Sequence, residues 1–392
     1  MISPVMPTYG APDLAFEKGE GVYLYAADGR RFLDFGAGIA VTGLGHCHPH
    51  LIEALTGQAE KLWHCSNLYA IPEQIRMAER LVAASFADSV FFNNSGAEAV
   101  ESSIKVARKF HSENGNPERF RVITCEGAFH GRSLATIAAG RQEKHLAGFG
   151  PIVDGFDQVA FGNLTEMRAA IGPETAAILV EPVQGEGGMV PASAEYLRGL
   201  RQAADEFGLL LIFDEVQCGI GRTGKLFAHE WAGVEPDILA AAKGLGGGFP
   251  VGACLANEKA AAALVAGSHG STFGGNPLAM AVAGSVLDVI LEDGFLERVQ
   301  AIAKELRGRL ETVAKSHPTV LTEVRGKGLM LGLKCEVPNV DLSAKLFEKG
   351  LVTVVAGDNV VRILPPLIID ESHVEEAVGI LEASCAELAE KA

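Results

Sequence analysis

Along the middle of the chain, short apolar runs alternate with longer stretches in which apolar residues recur every three or four positions. The runs VFF (90–92), VITC (122–125), AILVE (177–181), LLLIFD (209–214), ILAAA (238–242) and GACLA (252–256) read as strands buried on both faces. A helix is predicted directly after VFF, beginning NNSGAEAVESSIKVARKF. In EYLRGLRQAADEFG, Tyr196, Leu197, Leu200, Ala203, Ala204 and Phe207 fall on one helical face, and Gly208 is the expected stop. Strands and helices in this order predict an α/β fold whose mostly parallel sheet is covered on both sides. Such sheets bind ligands beyond the carboxyl ends of their strands.

Toward the C-terminus the pattern changes. A long helical region starting NPLAMAVAGSVLDVILEDGF precedes the strands MLGLKC (330–335), LVTVVA (351–356) and VVRIL (360–364), and a final helix. The expected organisation is a large domain over residues 51–290 and a smaller α+β domain over 291–392. Residues 1–50 are expected to pack beside the smaller one. No internal repeat or low-complexity linker interrupts this order.

Composition narrows the class. The 392 residues are 48% hydrophobic and 21% charged, which is a globular balance. A net charge of −16 argues against nucleic acid or an anionic membrane as partner, so an anionic substrate must be caught by local basic groups. Seven irregularly spaced cysteines without a Cys-x-x-Cys pair read as free thiols in a reducing compartment. The opening MISPVMPTYGAPDLAFEKGEG lacks a basic region followed by an apolar core, and no apolar run approaches the ~18 residues of a membrane span. A soluble, cytoplasmic protein is expected.

The stretch ILAAAKGLGGGFPVGA carries one lysine, Lys243, out of an apolar run and into glycines. A lysine whose stem is buried and whose ammonium reaches water explains it blandly. A nucleotide loop does not, because that motif needs its glycines before a Lys-Ser or Lys-Thr pair. The sharper reading is a partly desolvated amine able to attack a carbonyl. Asp214 ends another apolar run, LLLIFD, where ligand-lining loops begin, although an acid there also caps turns. Ser95 and Glu98 form the spacing of a helix capping box, and the same helix start offers N–H groups to a phosphate. In GAFHGRS (127–133), Phe129 and His130 taken singly read as interior residues, whereas Arg132 is suited to fork onto a carboxylate. The histidines of GLGHCHPH (43–50) lack a matching ligand set, so no metal is expected.

Taken together, DEVQ (214–217), AAKGLGGGFP around Lys243 and GSTFGGNPLA (270–279) resemble the class III, or ω-type, pyridoxal-phosphate aminotransferases. The likeness extends over nearly the whole chain through SNLYAIPEQ, NNSGAEAVE, GAFHGRS, EPVQGEGG and VRILPPLII, and it is strongest to the acetylornithine branch. The resemblance implies a fold-type I transferase working as a homodimer with active sites at the subunit interface. It implies that Lys243 holds the cofactor covalently and moves a proton from the substrate, and that Asp214 pairs with the ring nitrogen. Gln217 is implied at the phenolic oxygen and Phe129 on the ring face, with Glu215 and Val216 among the cofactor contacts. Ser95, Gly96 and Ala97 would hold the phosphate, joined by Thr272 of the other subunit. Arg132 and Arg362 are implied as carboxylate clamps, Glu186 as the residue that masks Arg362, and Ser271 as a further substrate contact. The implied reaction is transamination of N2-acetyl-L-ornithine with 2-oxoglutarate, with N-succinylornithine and N-succinyl-diaminopimelate as the alternative donors. A racemase or aminomutase would not need the two-arginine set, and a non-catalytic binding protein would not need Lys243 and Asp214 together.

Overall fold

A computed structural model describes residues 4–9 and 14–390. Parts of the opening segment read for a leader and of the expected 1–50 segment (residues 1–3 and 10–13) lie outside the described residues, as do 391–392.

All six apolar runs become strands of one seven-stranded sheet. Its order is Ser89–Asn93, Gly252–Ala256, Ile238–Ala241, Leu210–Asp214, Thr175–Val180, Arg121–Cys125 and Phe156–Val159. Only Gly252–Ala256 runs against its neighbours; the other pairings are parallel. A parallel return needs a crossover of about a dozen residues or more. Between Ala241 and Gly252 the chain has room only for the short turn Lys243–Gly246, so it doubles back.

Alternation along each strand sends side chains to two separate cores. Ala177, Leu179, Leu210 and Ile212 pack toward the helix Gly96–Glu113. Ile178, Val180, Leu211 and Phe213 pack toward the helix Ala194–Phe207. That second helix opens on Ser193, whose side chain accepts from the Tyr196 N–H, and stops at Gly208 with φ 64°, as the sequence predicts. Phe207 departs from the expected buried face: it stays 39% exposed, with the Arg168 guanidinium over its ring.

A third core gathers around the C-terminal elements and reaches the face of Ala241, Ala253 and Leu255. The predicted long helical region is two helices, Pro277–Ile290 and Phe295–Ser316, separated at Gly294, whose φ of 85° no helix tolerates. They pack with an antiparallel sheet of Leu321–Lys327, Met330–Cys335, Val360–Ile363 and Val354–Ala356. The run LVTVVA is not one strand. Leu351–Val352 pairs in parallel with Arg31–Asp34, while Val354–Ala356 pairs with Val360–Ile363 in the other sheet. An apolar run records burial and says nothing of the partner, so the change of sheet at Thr353 was invisible in the sequence.

The histidines of GLGHCHPH diverge: His46 bonds Asp34 at 2.8 Å and His50 bonds Asp288 at 2.7 Å. Among the described residues no cluster of His, Cys, Asp and Glu could hold a metal ion, and no helix is long and apolar enough to cross a membrane.

Candidate active site

Where the central strands end, a cavity of about 270 Å³ opens, lined by residues from five separate segments. Lys243 reaches it from the turn after Ile238–Ala241, with φ 46° at its own backbone. Its side chain is part-buried at the cavity wall, and desolvation, with the nearby Arg362 charge, pulls the amine down to about 8 against the opposing pull of Asp214 and Glu181. An amine in that range gives up its proton just above neutral pH, where an ordinary lysine keeps it.

Asp214 ends the adjacent strand, opposite Ala240 in register, and is 4% exposed. One carboxylate oxygen accepts from the Val216 N–H at 3.1 Å. The other lies 2.8 Å from His130 Nδ1, so the imidazole N–H donates to it. His130 is wholly buried. Burial alone would lower its pKa, but the Asp214 hydrogen bond and charge outweigh that and raise it. The interior histidine of the sequence reading is therefore the residue that orients Asp214.

Glu181 is a functional candidate that the sequence reading missed. It follows the strand Thr175–Val180, lines the cavity, and accepts from the N–H groups of Phe129 at 3.1 Å and Gly185 at 3.4 Å. Burial pushes its carboxyl up to about 7; His130 opposes this and Asp214 adds to it. The signal was present, because Glu181 terminates an apolar strand just as Asp214 does.

Gly96 and Ala97, at the start of the helix Gly96–Glu113, form another wall. Ser95 Oγ accepts from the Glu98 N–H at 3.2 Å, and the Glu98 side chain accepts from the Asn94 N–H at 2.8 Å. The capping box therefore exists, with its return bond shifted to Asn94. Helix N-termini leave further N–H groups unbonded and present the positive end of the dipole, which suits a phosphate. A Cβ on Gly96 would stand 2.6 Å from Val216 Cγ1, so glycine is required for this approach. Gln217 Oε1 is buried with no hydrogen-bond partner.

Glu215 is a correction to the sequence expectation. Next to Asp214 on extended chain, it points to the opposite side. Its carboxylate accepts from the Ala228 and His229 N–H groups and contacts His229 Nδ1 at 2.8 Å, fully buried away from the cavity. Ser95, Ser271 and Thr272 are not among the cavity's walls. Ser271 Oγ accepts from the Gly274 N–H at 2.9 Å and from Asn94 at 3.2 Å, while Thr272 is exposed.

Two arginines serve the site: Arg132 lines the cavity, and Arg362 lies outside its walls but near enough for its charge to act on Lys243. Arg132 is exposed, with its guanidinium carbon 5.6 Å from the centre of the Phe129 ring. Arg362 lies on Val360–Ile363, is 3% exposed, and donates to the Val355 carbonyl at 2.8 Å. Burial pulls its pKa down and Glu186, 3.2 Å away, opposes that.

These features fit a phosphorylated pyridine aldehyde: a desolvated amine, a buried acid, an unpartnered amide oxygen, an aromatic wall and a helix N-terminus converge on one cavity. A family model of class-III aminotransferases matches residues 6–384, and the chain belongs to that family. Its relatives narrow the branch. The acetylornithine aminotransferase of Mesorhizobium japonicum is 60% identical over 388 residues, which cover 99% of this chain and 97% of that protein. The acetylornithine aminotransferase of Brucella melitensis biotype 1 is 58% identical over 383 residues, 98% of this chain and 95% of that one. Among solved structures, the ornithine aminotransferase of Toxoplasma gondii ME49 matches with a TM-score of 0.94 at 31% identity, covering 98% of this chain and 93% of that chain. The N-acetylornithine aminotransferase of Stenotrophomonas maltophilia K279a matches with a TM-score of 0.86 at 37% identity, covering 98% and 99%.

Proposed function

We propose that this aminotransferase moves the side-chain amino group of N2-acetyl-L-ornithine to 2-oxoglutarate, yielding N-acetyl-glutamate 5-semialdehyde and glutamate, a step of arginine biosynthesis. The observation that carries the reading is one cavity gathering Lys243, Asp214, Gln217 and Arg132, with the Glu186–Arg362 pair near enough for both charges to act on Lys243. The acetylornithine aminotransferases at up to 60% identity support the choice of donor.

Pyridoxal phosphate, when bound, supplies an aldehyde that takes up the amino group and a ring that accepts the electron pair left by the departing proton. The residues of the chain do the rest. Lys243, with its lowered pKa, anchors the cofactor and afterwards takes the proton from the substrate carbon. Asp214, held by His130, keeps a proton on the ring nitrogen. Gln217 would meet the cofactor's phenolic oxygen, Val216 and Phe129 would contact its ring, and Ser95, Gly96 and Ala97 would hold its phosphate. Glu215 acts at one remove, pinning the turn at Ala228–His229 to the end of the Asp214 strand.

Arg132 takes the donor's α-carboxylate. Arg362 is neutralised by Glu186 while the donor is bound, and Glu186 leaves it when the dicarboxylate acceptor arrives. In the domain division put forward here, residues 51–290 carry the floor and 291–392 carry Arg362. The working unit is a homodimer. Trp63, Leu68, Tyr69 and Phe273 are 65%, 87%, 69% and 59% exposed, an apolar face that a second copy would cover. Asn67 ties this face to the Ser271–Gly274 loop through the Ser271 and Gly274 carbonyls, so each copy would offer its Thr272 to the other's phosphate. Seven free thiols support a cytoplasmic setting.

A steady-state comparison of N-acetylornithine, N-succinylornithine, N-succinyl-diaminopimelate, ornithine and 4-aminobutyrate against 2-oxoglutarate tests the assignment. N-acetylornithine should have the highest kcat/KM. Preference for a succinylated donor would reassign the substrate, and absence of glutamate with every donor would end the reading. Borohydride reduction followed by peptide mapping should leave the cofactor on Lys243.

A further inference from the structure

Glu186 has two cationic partners, not one. Its Oε2 lies 3.2 Å from Arg362 and its Oε1 lies 3.2 Å from Lys144 Nζ. Lys144 sits in the short helix Glu143–Leu146, whose His145 ring meets the edge of Phe129 at 5.7 Å. The two cations differ in surroundings. The Arg362 side chain is 4% exposed, whereas that of Lys144 is 60% exposed and that of Glu186 is 23% exposed.

The backbone at Glu186 is fixed. Its carbonyl accepts from the Gly357 N–H at 2.8 Å, and a Cβ on the preceding Gly185 would stand 2.2 Å from Gln217 Oε1. Any release of Arg362 is therefore a rotation of the Glu186 side chain about a stationary main chain. A long, solvated lysine can follow such a rotation, whereas a buried arginine bonded to Val355 cannot.

We propose that Lys144 is a positioning residue, a latch that keeps the Glu186 carboxylate paired when Arg362 is given over to the acceptor. This inference rests on the gating role proposed for Glu186. The charge count favours it. With the donor bound, Glu186 neutralises Arg362 through one oxygen and meets Lys144 with the other, as in the structure. With a dicarboxylate on Arg362, the displaced Glu186 would stand as a second anion beside the incoming one, unless Lys144 holds it. The latch therefore contributes more with the acceptor, when Lys144 is the one cation left to Glu186, than with the donor, when Arg362 shares that charge.

The test uses the full-length holoenzyme, single-turnover measurements of each half-reaction, and equilibrium binding of glutarate, which has two carboxylates and no keto group to react. A part-exposed ion pair contributes modestly, so Lys144→Met should weaken glutarate binding and raise the KM for 2-oxoglutarate roughly two- to fivefold. The donor half-reaction should move by less than that. Lys144→Arg should restore the wild-type values, and added salt should shrink the difference. In a Glu186→Ala background, Lys144→Met should have no further effect on glutarate. If Glu186→Ala shifts the donor-to-acceptor ratio but Lys144→Met leaves acceptor and glutarate unchanged, the latch is overturned and the gate stands. If Glu186→Ala leaves the ratio unchanged, the gate itself is overturned, and the latch with it.

Discussion

The floor and the rim of the cavity are built on different terms. At the floor, Asp214 and Lys243 come off neighbouring parallel strands whose register sets Asp214 opposite Ala240. Asp214 is then held by two donors, His130 and the Val216 N–H. At the rim, Arg132 projects from the 127–133 loop into solvent, and Glu186 is shared between Arg362 and Lys144. The floor has one arrangement, fixed by the sheet, and the proposed gate gives the rim two, set by which anion is present. Proton transfer needs groups held in place. An enzyme that accepts two differently charged substrates in turn needs a site whose charge can be rearranged without moving its backbone. The difference teaches that the proposed chemistry sits at the strand ends of one sheet, while the proposed clamps are drawn from two loops and a strand of another sheet.

The severest way to break the comparison is at the floor. Lys243→Ala removes both the anchor and the proton carrier, and turnover should fall by ~10⁴-fold or more while the fold is kept. Circular dichroism and steady-state rates check both halves of that statement. Asp214→Asn should follow with a loss of roughly a hundred- to a thousandfold, because an amide cannot hold the ring nitrogen's proton. Cofactor should still bind through the helix start at Ser95–Ala97, as equilibrium dialysis would show. Wild-type turnover in Asp214→Asn would mean that a different acid, with Glu181 the next in line, does this work.

At the rim the losses should be smaller and unequal. A charge-assisted bidentate contact contributes ~1.5–3 kcal/mol, or about ten- to a hundredfold in affinity. Arg132→Ala should weaken the donor half-reaction by that factor, since its guanidinium is offered directly to solvent and substrate. Arg362→Ala should chiefly weaken the half-reaction with 2-oxoglutarate. It should also leave Glu186 to Lys144 alone. Equal losses in both half-reactions for both variants would erase the division of labour between the two clamps.

The same contrast decides what could be read in the sequence. Asp214 and Lys243 stood out because each ends an apolar strand, and a charge at that position is visible without any knowledge of neighbours. Glu181 sits in the same position and was overlooked, although the rule that found Asp214 applies to it unchanged. Glu215 was misplaced for a different reason: it came in with the family resemblance as part of DEVQ, while extended backbone sends adjacent side chains to opposite faces. The rim could not be derived this way. Glu186, Lys144 and Arg362 come from three distant segments, and only the assembled fold brings them within 3.2 Å. Arg132, Arg362 and Glu186 entered through the family resemblance, and Lys144, which no motif marks, entered only with the structure.

The smallest expected effect tests how rigidly the floor is held before cofactor arrives. Without cofactor Lys243 is a free amine whose pKa falls from its ordinary 10.5 to about 8, because burial penalises its charge and Arg362 adds to that penalty. Between about pH 8 and pH 10.5 the unfolded chain therefore binds a proton here that the folded protein has released. Stability contributed by this residue must rise with pH across that window. Below it, lysine is charged in both states, and the cost of burying the ammonium is felt in full. Lys243→Met keeps the bulk and removes the charge, so the cofactor-free variant should melt above the cofactor-free wild type at pH 7. The gap should narrow as pH rises past about 8. With cofactor attached the amine no longer titrates, and the wild-type protein should lose this part of its pH dependence. Thermal unfolding of both proteins between about pH 7 and pH 10 measures the gap directly. A gap that stays constant would mean that Asp214 and Glu181 compensate the ammonium where it stands, and that the floor, like the rim, adjusts its charges to what it holds.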